Sequence, residues 1–395
     1  MRLPIRPASL ALALAGASLL TACAPVQRGE PADARASVGS ATQASLFFER
    51  FTDEWMRRQP SASTASRYFG DAEQARMDRE LTPQTQAFRA ETIALAQRGL
   101  TELSALDRAS MGDTDRVSAE LMDWQLRSLV EGDRFDDYGF PLQQFSGANV
   151  NLPNLMTVVH PLRTAADADS YLARLSQFEA RMDESTARAS ELAARDVLPP
   201  RFIVEATIAQ MRRFIADAPD RNPLVATFDT RLQTVDAIDA SARAALVARA
   251  TQAVESGVYP AWSRAIAELE RQLPRTTDDA GLWRFPDGAE AYAFQLRRFT
   301  STALSAEEIH AIGLREVARI EAEMDTILRS IDRSEGSVEA RLKQLRVDLA
   351  YPDDEAGRAA IMADIDTMMR DAERRSDALF DIRPRSAVIA QPYPE

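Results

Sequence analysis

Apolar residues recur at helical spacing from Gln43 almost to the end of the chain. Leu46, Phe47, Phe51, Trp55 and Met56 share one face, and Phe88, Leu95 and Leu103 recur after Pro83, a residue suited to a first turn. Val117, Leu121, Trp124, Leu126 and Leu129 continue the pattern towards Gly132. Tyr171, Leu172, Leu175 and Phe178 open a stretch that runs to about Ala194, after which Pro199-Pro200 begins a helix carrying Phe202, Ile203, Ile208, Met211 and Ile215. A long helix follows from about Asp239 to Leu273, with a kink expected at Gly257 and Pro260.

Ser305-Ala306-Glu307-Glu308 is a capping box, in which the serine and the glutamate three residues later satisfy each other's backbone amides. It opens a helix with Ile309, Ile312, Val317, Ile320, Met324 and Ile327 on its apolar side. A last helix, about Glu355 to Leu379, carries Ile361, Ile365, Met368 and Met369. Between Gly132 and Pro161 the periodicity fails, because Gly139, Pro141, Gly147, Pro153 and Pro161 break regular elements, and long ordered loops often carry function. No segment alternates with period two for long enough to form a sheet. The fold class expected is therefore mainly α: a multi-helix array with one long irregular Pro/Gly-rich stretch.

The beginning and end of the chain follow different rules. Arg2 and Arg6 precede an apolar run from Leu10 to Leu20, and the one cysteine, Cys23, follows Leu20-Thr21-Ala22. That order marks a bacterial lipoprotein signal over residues 1–22, with Cys23 as the first mature residue and the site of lipid attachment. The run is too short to cross a bilayer as a helix, which takes about 20 apolar residues. Ala24 rather than Asp in the following position favours the outer membrane, facing the periplasm. Residues 23–42 are rich in Pro, Ala, Gly and Ser and suit a flexible tether, leaving 43–395 as the helical part. Ile382-Arg383-Pro384-Arg385 and Gln391-Pro392-Tyr393-Pro394-Glu395 bury little and look like a connector to further chain.

Composition then narrows the chemistry. The formal charge is −13, with arginines interleaved among acids along the whole length, so nucleic acid is an unsuitable partner. Lipidation would consume the only thiol. Gly-x-Ser-x-Gly and the phosphate-binding Gly-x-x-x-x-Gly-Lys are absent. Of the two histidines, neither begins His-Glu-x-x-His, so a helical zinc site of that kind cannot be built from this chain. His310, on the second turn of the capped helix, is expected to be a half-buried packing or hydrogen-bonding residue. His160 lies near Arg163 in the Pro-rich stretch and either touches a ligand or fixes the loop. Trp283, Phe285, Tyr292 and Phe294 precede Arg297-Arg298, and this row either faces a cleft or packs. The pairs Asp136-Asp137, Asp278-Asp279 and Asp353-Asp354 sit near turn residues and are expected to be solvated.

Two segments resemble a known family. They are Leu152-Pro153-Asn154 through His160-Pro161-Leu162-Arg163-Thr164 with Asp167, Tyr171 and Arg174-Leu175, and Tyr292 through Leu304-Ser305-Ala306-Glu307-Glu308-Ile309-His310 to Gly313-Leu314, Val317-Ala318-Arg319-Ile320 and Glu323-Met324. The sequence is similar to the bacterial lipoproteins called domain of unknown function 885, relatives of gluzincin zinc metallopeptidases. The resemblance implies a mostly helical fold, a zinc cofactor in a full-length relative, and a peptide-binding cleft for which His160 and Tyr292 are the candidate lining residues. Family members are longer, and their His-Glu and Pro-Gly-His metal motif has no counterpart here. No metal ligand or catalytic residue is therefore carried over.

Two functional expectations follow. The first is the amino-terminal half of a zinc-peptidase-like protein, truncated or split and inactive without the remainder. The second is a non-catalytic periplasmic binding or scaffold lipoprotein. Under the first, helices shaped to pack on missing elements should leave an apolar face around Ile361 to Leu379, larger than the ~600 Å2 usual on a monomer.

Overall fold

The computed structural model describes residues 42–382 and 386–390. Cys23, the signal over residues 1–22, most of the tether and the Gln391–Glu395 end lie outside the described residues. The described chain is mainly α-helical, and among the described residues there is no strand.

The helices are α1 (Gln43–Arg58), α2 (Pro60–Ser66), α3 (Asp71–Met77), α4 (Gln86–Ser104) and α5 (Asp113–Gly132), then α6 (Ala148–Asn154), α7 (Ala165–Leu175) and α8 (Phe178–Ala194). They continue with α9 (Arg201–Phe214), α10 (Pro223–Leu232), α11 (Ala240–Ala253), α12 (Tyr259–Gln272), α13 (Gly288–Thr300), α14 (Ala306–Ser330), α15 (Val338–Leu349) and α16 (Glu355–Ser376). They form two compact units that interleave along the sequence. One holds the described residues up to Val130 with Leu155–Gln177 and Thr227–Ala250; the other holds Glu131–Asn154, Phe178–Ala226 and the chain from Thr251 onward.

In the first unit α1, α4 and α5 enclose an apolar core of Phe47, Phe51, Leu95, Leu103, Met111 and Leu126. Thr42 starts α1 by accepting a hydrogen bond from the Ser45 amide at 3.0 Å. α4 starts at Gln86, beyond Pro83, and Thr85 caps it by accepting from the Phe88 amide at 3.1 Å. On α5 two apolar stripes compete for the core. The inward one runs through Ala119, Met122, Leu126 and Leu129, whereas Val117, Leu121 and Trp124 are exposed. Ala119 is small enough to let α5 approach the core closely, so the stripe with the smaller residue faces inward.

The second unit is organised around α8, α9 and α12. Trp262 of α12 is fully buried with Phe178 and Phe214 at ring distances of 6.1 and 5.1 Å. The helix expected from Asp239 to Leu273 is present, but its interruption at Gly257 takes the form of a π turn, Val254–Val258, between α11 and α12. A π turn shifts the hydrogen-bond register by one residue, and so accommodates Pro260, which has no amide hydrogen.

The Gly132–Pro161 stretch is more regular than its composition suggests. It contains a 3-10 segment Asp133–Tyr138, then α6, then a π turn Leu155–Val159. Pro153 sits inside α6, and the helix absorbs its missing donor by widening immediately afterwards: the His160 amide donates to the Leu155 carbonyl at 2.7 Å.

The capping box of α14 forms as the sequence indicates. Ser305 Oγ accepts from the Glu308 amide at 3.2 Å, and Glu308 Oε2 accepts from the Ser305 amide at 2.8 Å. Two features of that region differ from expectation. His310 is exposed rather than half-buried, and α14 shows its apolar side to solvent, with Val317 55%, Ile320 44% and Ile327 61% exposed. In α16 Ile361 and Met368 are exposed too, as is Leu379 just beyond it.

Candidate functional site

His160 belongs to the first unit and Tyr292 to the second. The π turn Leu155–Val159 delivers His160 into the interior, where it has no solvent exposure. Arg174 NH1 lies 3.1 Å from His160 Nδ1. Guanidinium nitrogens only donate, so Nδ1 must be the acceptor, and the ring proton sits on Nε2, 3.2 Å from the Asp167 carbonyl oxygen. The imidazole is neutral. Burial and the positive charge of Arg174 hold its pKa down to about 4. Tyr171 packs edge-on to the ring at 5.4 Å and stacks on Phe228 at 4.4 Å.

Arg174 is the centre of this arrangement. Fully buried, it donates to the carbonyl oxygens of Glu80 at 3.0 Å and Met77 at 2.9 Å, and to Thr64 Oγ1 at 2.5 Å. Thr64 Oγ1 in turn donates to Asp78 Oδ1 at 2.7 Å, and Asp78 also accepts from Gln74 at 2.8 Å and Arg67 at 2.8 Å. A buried cation is thereby balanced by a buried carboxylate through one hydroxyl, and it covers carbonyls at the carboxyl end of α3, where the helix dipole favours positive charge. Burial pulls the Arg174 pKa down to about 10, so the side chain stays charged at neutral pH. Arg231 completes the cluster from α10, donating to the His160 carbonyl at 2.6 Å.

This cluster clamps α2, α3, α7, α10 and the π turn together, and His160 offers no lone pair to a ligand. Of the two readings the sequence leaves open for His160, burial and its two hydrogen bonds accord with the loop-fixing one. The partners of Arg174 escape sequence reasoning because it reaches Thr64 and Met77 across 110 and 97 residues. The one available signal was Arg174 standing in the same segment as His160.

Tyr292 lies on α13 and is half exposed, with Trp283 nearby in sequence and 70% exposed. The aromatic row splits in two. Phe285 stacks on Tyr138 at 4.9 Å and Phe294 packs on Phe135 at 5.5 Å, both buried, while Arg297 pairs with Glu131 at 2.5 Å. Asp137 is not the free turn carboxylate its position suggests. Burial pushes its pKa up, but Arg195 and Arg188 outweigh that and hold it below the usual carboxylate range. Asp354 caps α16 through the Gly357 amide at 2.8 Å.

Among the described residues no three His, Cys, Asp or Glu side chains stand together so as to hold a metal ion. His160 is committed to hydrogen bonds at both ring nitrogens, and His310 is exposed on α14. An open groove of about 710 Å3 runs along α1 and the end of α4, past Leu46, Arg50, Asp53 and Glu102. Within it Arg50 pairs with Glu102 and Arg57 with Asp53.

Fold and site together define a mainly helical protein whose deepest polar centre is structural. The chain belongs to the family of bacterial proteins of unknown function designated DUF885, which it matches over residues 63–395. Its fold is shared with a predicted lipoprotein from Colwellia psychrerythraea (TM-score 0.78, 21% identity), which it matches over 87% of its own length and 60% of the other chain. A second such protein, a predicted lipoprotein of unknown function from Shewanella oneidensis, matches with a TM-score of 0.55 and 16% identity over 90% of this chain and 61% of that one. The chain thus spans about 60% of the length of these two relatives. No curated protein matches it. No described helix is long and apolar enough to cross a membrane.

Proposed function

We propose that this is a cell-envelope protein, lipid-anchored through Cys23 at the outer membrane and facing the periplasm. In this reading it supplies the amino-terminal helical part of a zinc-peptidase-like assembly and is inactive on peptides by itself. The observation that carries the incompleteness is α14, a long helix whose apolar side chains Val317, Ile320 and Ile327 are exposed. The anchor rests on Leu20-Thr21-Ala22-Cys23 and accords with the naming of both solved relatives as lipoproteins. Tyr292 is the residue proposed to face peptide in the completed assembly. The purified chain should carry no stoichiometric zinc and should cleave no member of a peptide library. One tightly bound zinc per chain, or cleavage abolished by a chelator, would overturn the reading. Labelled palmitate should enter the wild-type chain and not Cys23→Ser.

A second reading is a non-catalytic binding or scaffold lipoprotein, favoured by the exposed aromatic pair Trp283 and Tyr292. The nucleotide sequence downstream separates the two. A frame encoding His-Glu and Pro-Gly-His supports the peptidase-like assembly, and unrelated sequence supports the binding protein.

A further inference from the structure

Every residue of α14 from His310 to Glu323 is exposed, so about four turns of helix are in solvent around their whole circumference. A helix with a continuous apolar stripe is stabilised by packing that stripe, because propensity alone leaves isolated helices marginal in water. At 100° per residue, Ile309, Val317, Ile320, Met324 and Ile327 fall on one face of α14. Of these, Val317, Ile320 and Ile327 are 55%, 44% and 61% exposed, and Ile331 just past the helix is 47% exposed.

The edges of that face are acidic. Glu316 and Glu323 border it on one side, held to Arg319 at 2.9 and 2.6 Å, and Glu321 borders it on the other. A second copy of α14 is a poor occupant, since either orientation of a helix pair would set glutamates of one copy along glutamates of the other. A helix whose apolar stripe is edged by Arg or Lys would match both the stripe and the charge. The two solved relatives carry polypeptide for which this chain has no counterpart, about 40% of their length.

We infer that the Val317–Ile320–Ile327 face of α14 is a docking face for an amphipathic helix with basic edges, belonging to the polypeptide that completes this chain. The inference rests on the proposal that the chain is one part of a larger assembly, but not on that assembly being a peptidase.

The test titrates the full chain in detergent with two fluorescent synthetic helices that share one leucine stripe, one edged by arginine and the other by glutamate. The arginine-edged helix should bind with an affinity that falls as salt rises, and the glutamate-edged one at least about tenfold more weakly. The double variant Ile320→Glu, Ile327→Glu should weaken binding by about tenfold or more, with its circular dichroism spectrum unchanged because both side chains are exposed. Equal affinity for the two helices, no binding of either, or undiminished binding by the double variant would refute the docking face. Self-association in sedimentation that the double variant abolishes would make a second copy the occupant and would equally refute it. Zinc or peptidase activity in the chain alone would sink the incomplete-enzyme reading while leaving this titration to be judged on its own result.

Discussion

Arg174 and His160 meet inside the first unit, with the guanidinium donating to the imidazole Nδ1 at 3.1 Å and neither side chain exposed to solvent. This contact requires the imidazole to be neutral, because an imidazolium would turn a proton towards a cation. The pKa of about 4 in the folded chain, against 6.5 ordinarily, makes protonation favour unfolding. The stabilisation from neutral His160 is fully present above about pH 6.5 and is lost as pH falls towards 4, on the order of 3 kcal/mol in all. Carboxylates titrate in the lower part of this window too, so the measurement is a difference. The stability gap between wild type and His160→Gln in urea should narrow steadily between pH 6.5 and 4. A gap independent of pH would mean that His160 is not buried and neutral.

Arg174 should matter more than its histidine partner. Arg174→Met leaves His160 Nδ1, Thr64 Oγ1 and the carbonyls of Met77 and Glu80 without their donor. Breaking such a buried set costs about 3–5 kcal/mol. Arg174→Lys keeps the charge but loses the planar fork, and should cost about 1–3 kcal/mol. Thermal unfolding should rank wild type above Arg174→Lys above Arg174→Met.

The helices and their start signals were legible because those signals are local. Ser305 and Glu308 are three residues apart, and the α8 stripe ends at Ala194 where its periodicity does. Which face of a helix turns inward was less legible. On α5 the stripe through Val117 and Trp124 is the more hydrophobic to the eye, yet the core takes the one through Ala119. The partners of the buried polar centre were not legible, because Arg174 draws its acceptors on α2, on α3 and just beyond α3 from positions 94 to 114 residues away. His160 was singled out as a candidate for a ligand because burial leaves no mark on a lone histidine in a sequence.

Two helical glycines should respond oppositely to the same change. Gly99 of α4 faces the Phe51 ring, and a Cβ there would run into the edge of that ring, within the core of the first unit. Gly313 of α14 has nothing within 4 Å of the same added atom. Alanine is intrinsically better than glycine in a helix by about 0.8–1 kcal/mol, so Gly313→Ala should stabilise by about that amount. At Gly99 the steric conflict outweighs it, and Gly99→Ala should destabilise by about 1–3 kcal/mol. Urea titrations of the two variants check both signs.

Neighbouring residues near the end of α14 give the sharpest check on its exposed face. Leu328 is 2% exposed and Ile327 is 61% exposed, although the two differ by one position and one branch point. Leu328→Ala removes buried methyl groups and should cost about 2–5 kcal/mol. Ile327→Ala removes groups already in water. Its loss should stay within about 0.5 kcal/mol, with alanine's better helix propensity acting in its favour. Unfolding of both variants should be followed by helix circular dichroism at several protein concentrations. A cost for Ile327→Ala matching that of Leu328→Ala would mean the stripe is covered in solution, and a cost that grows with concentration would mean that another copy covers it. The expected result is a large, concentration-independent cost at Leu328 beside almost none at Ile327. That contrast would locate the limit of this chain's own packing between two adjacent side chains of one helix.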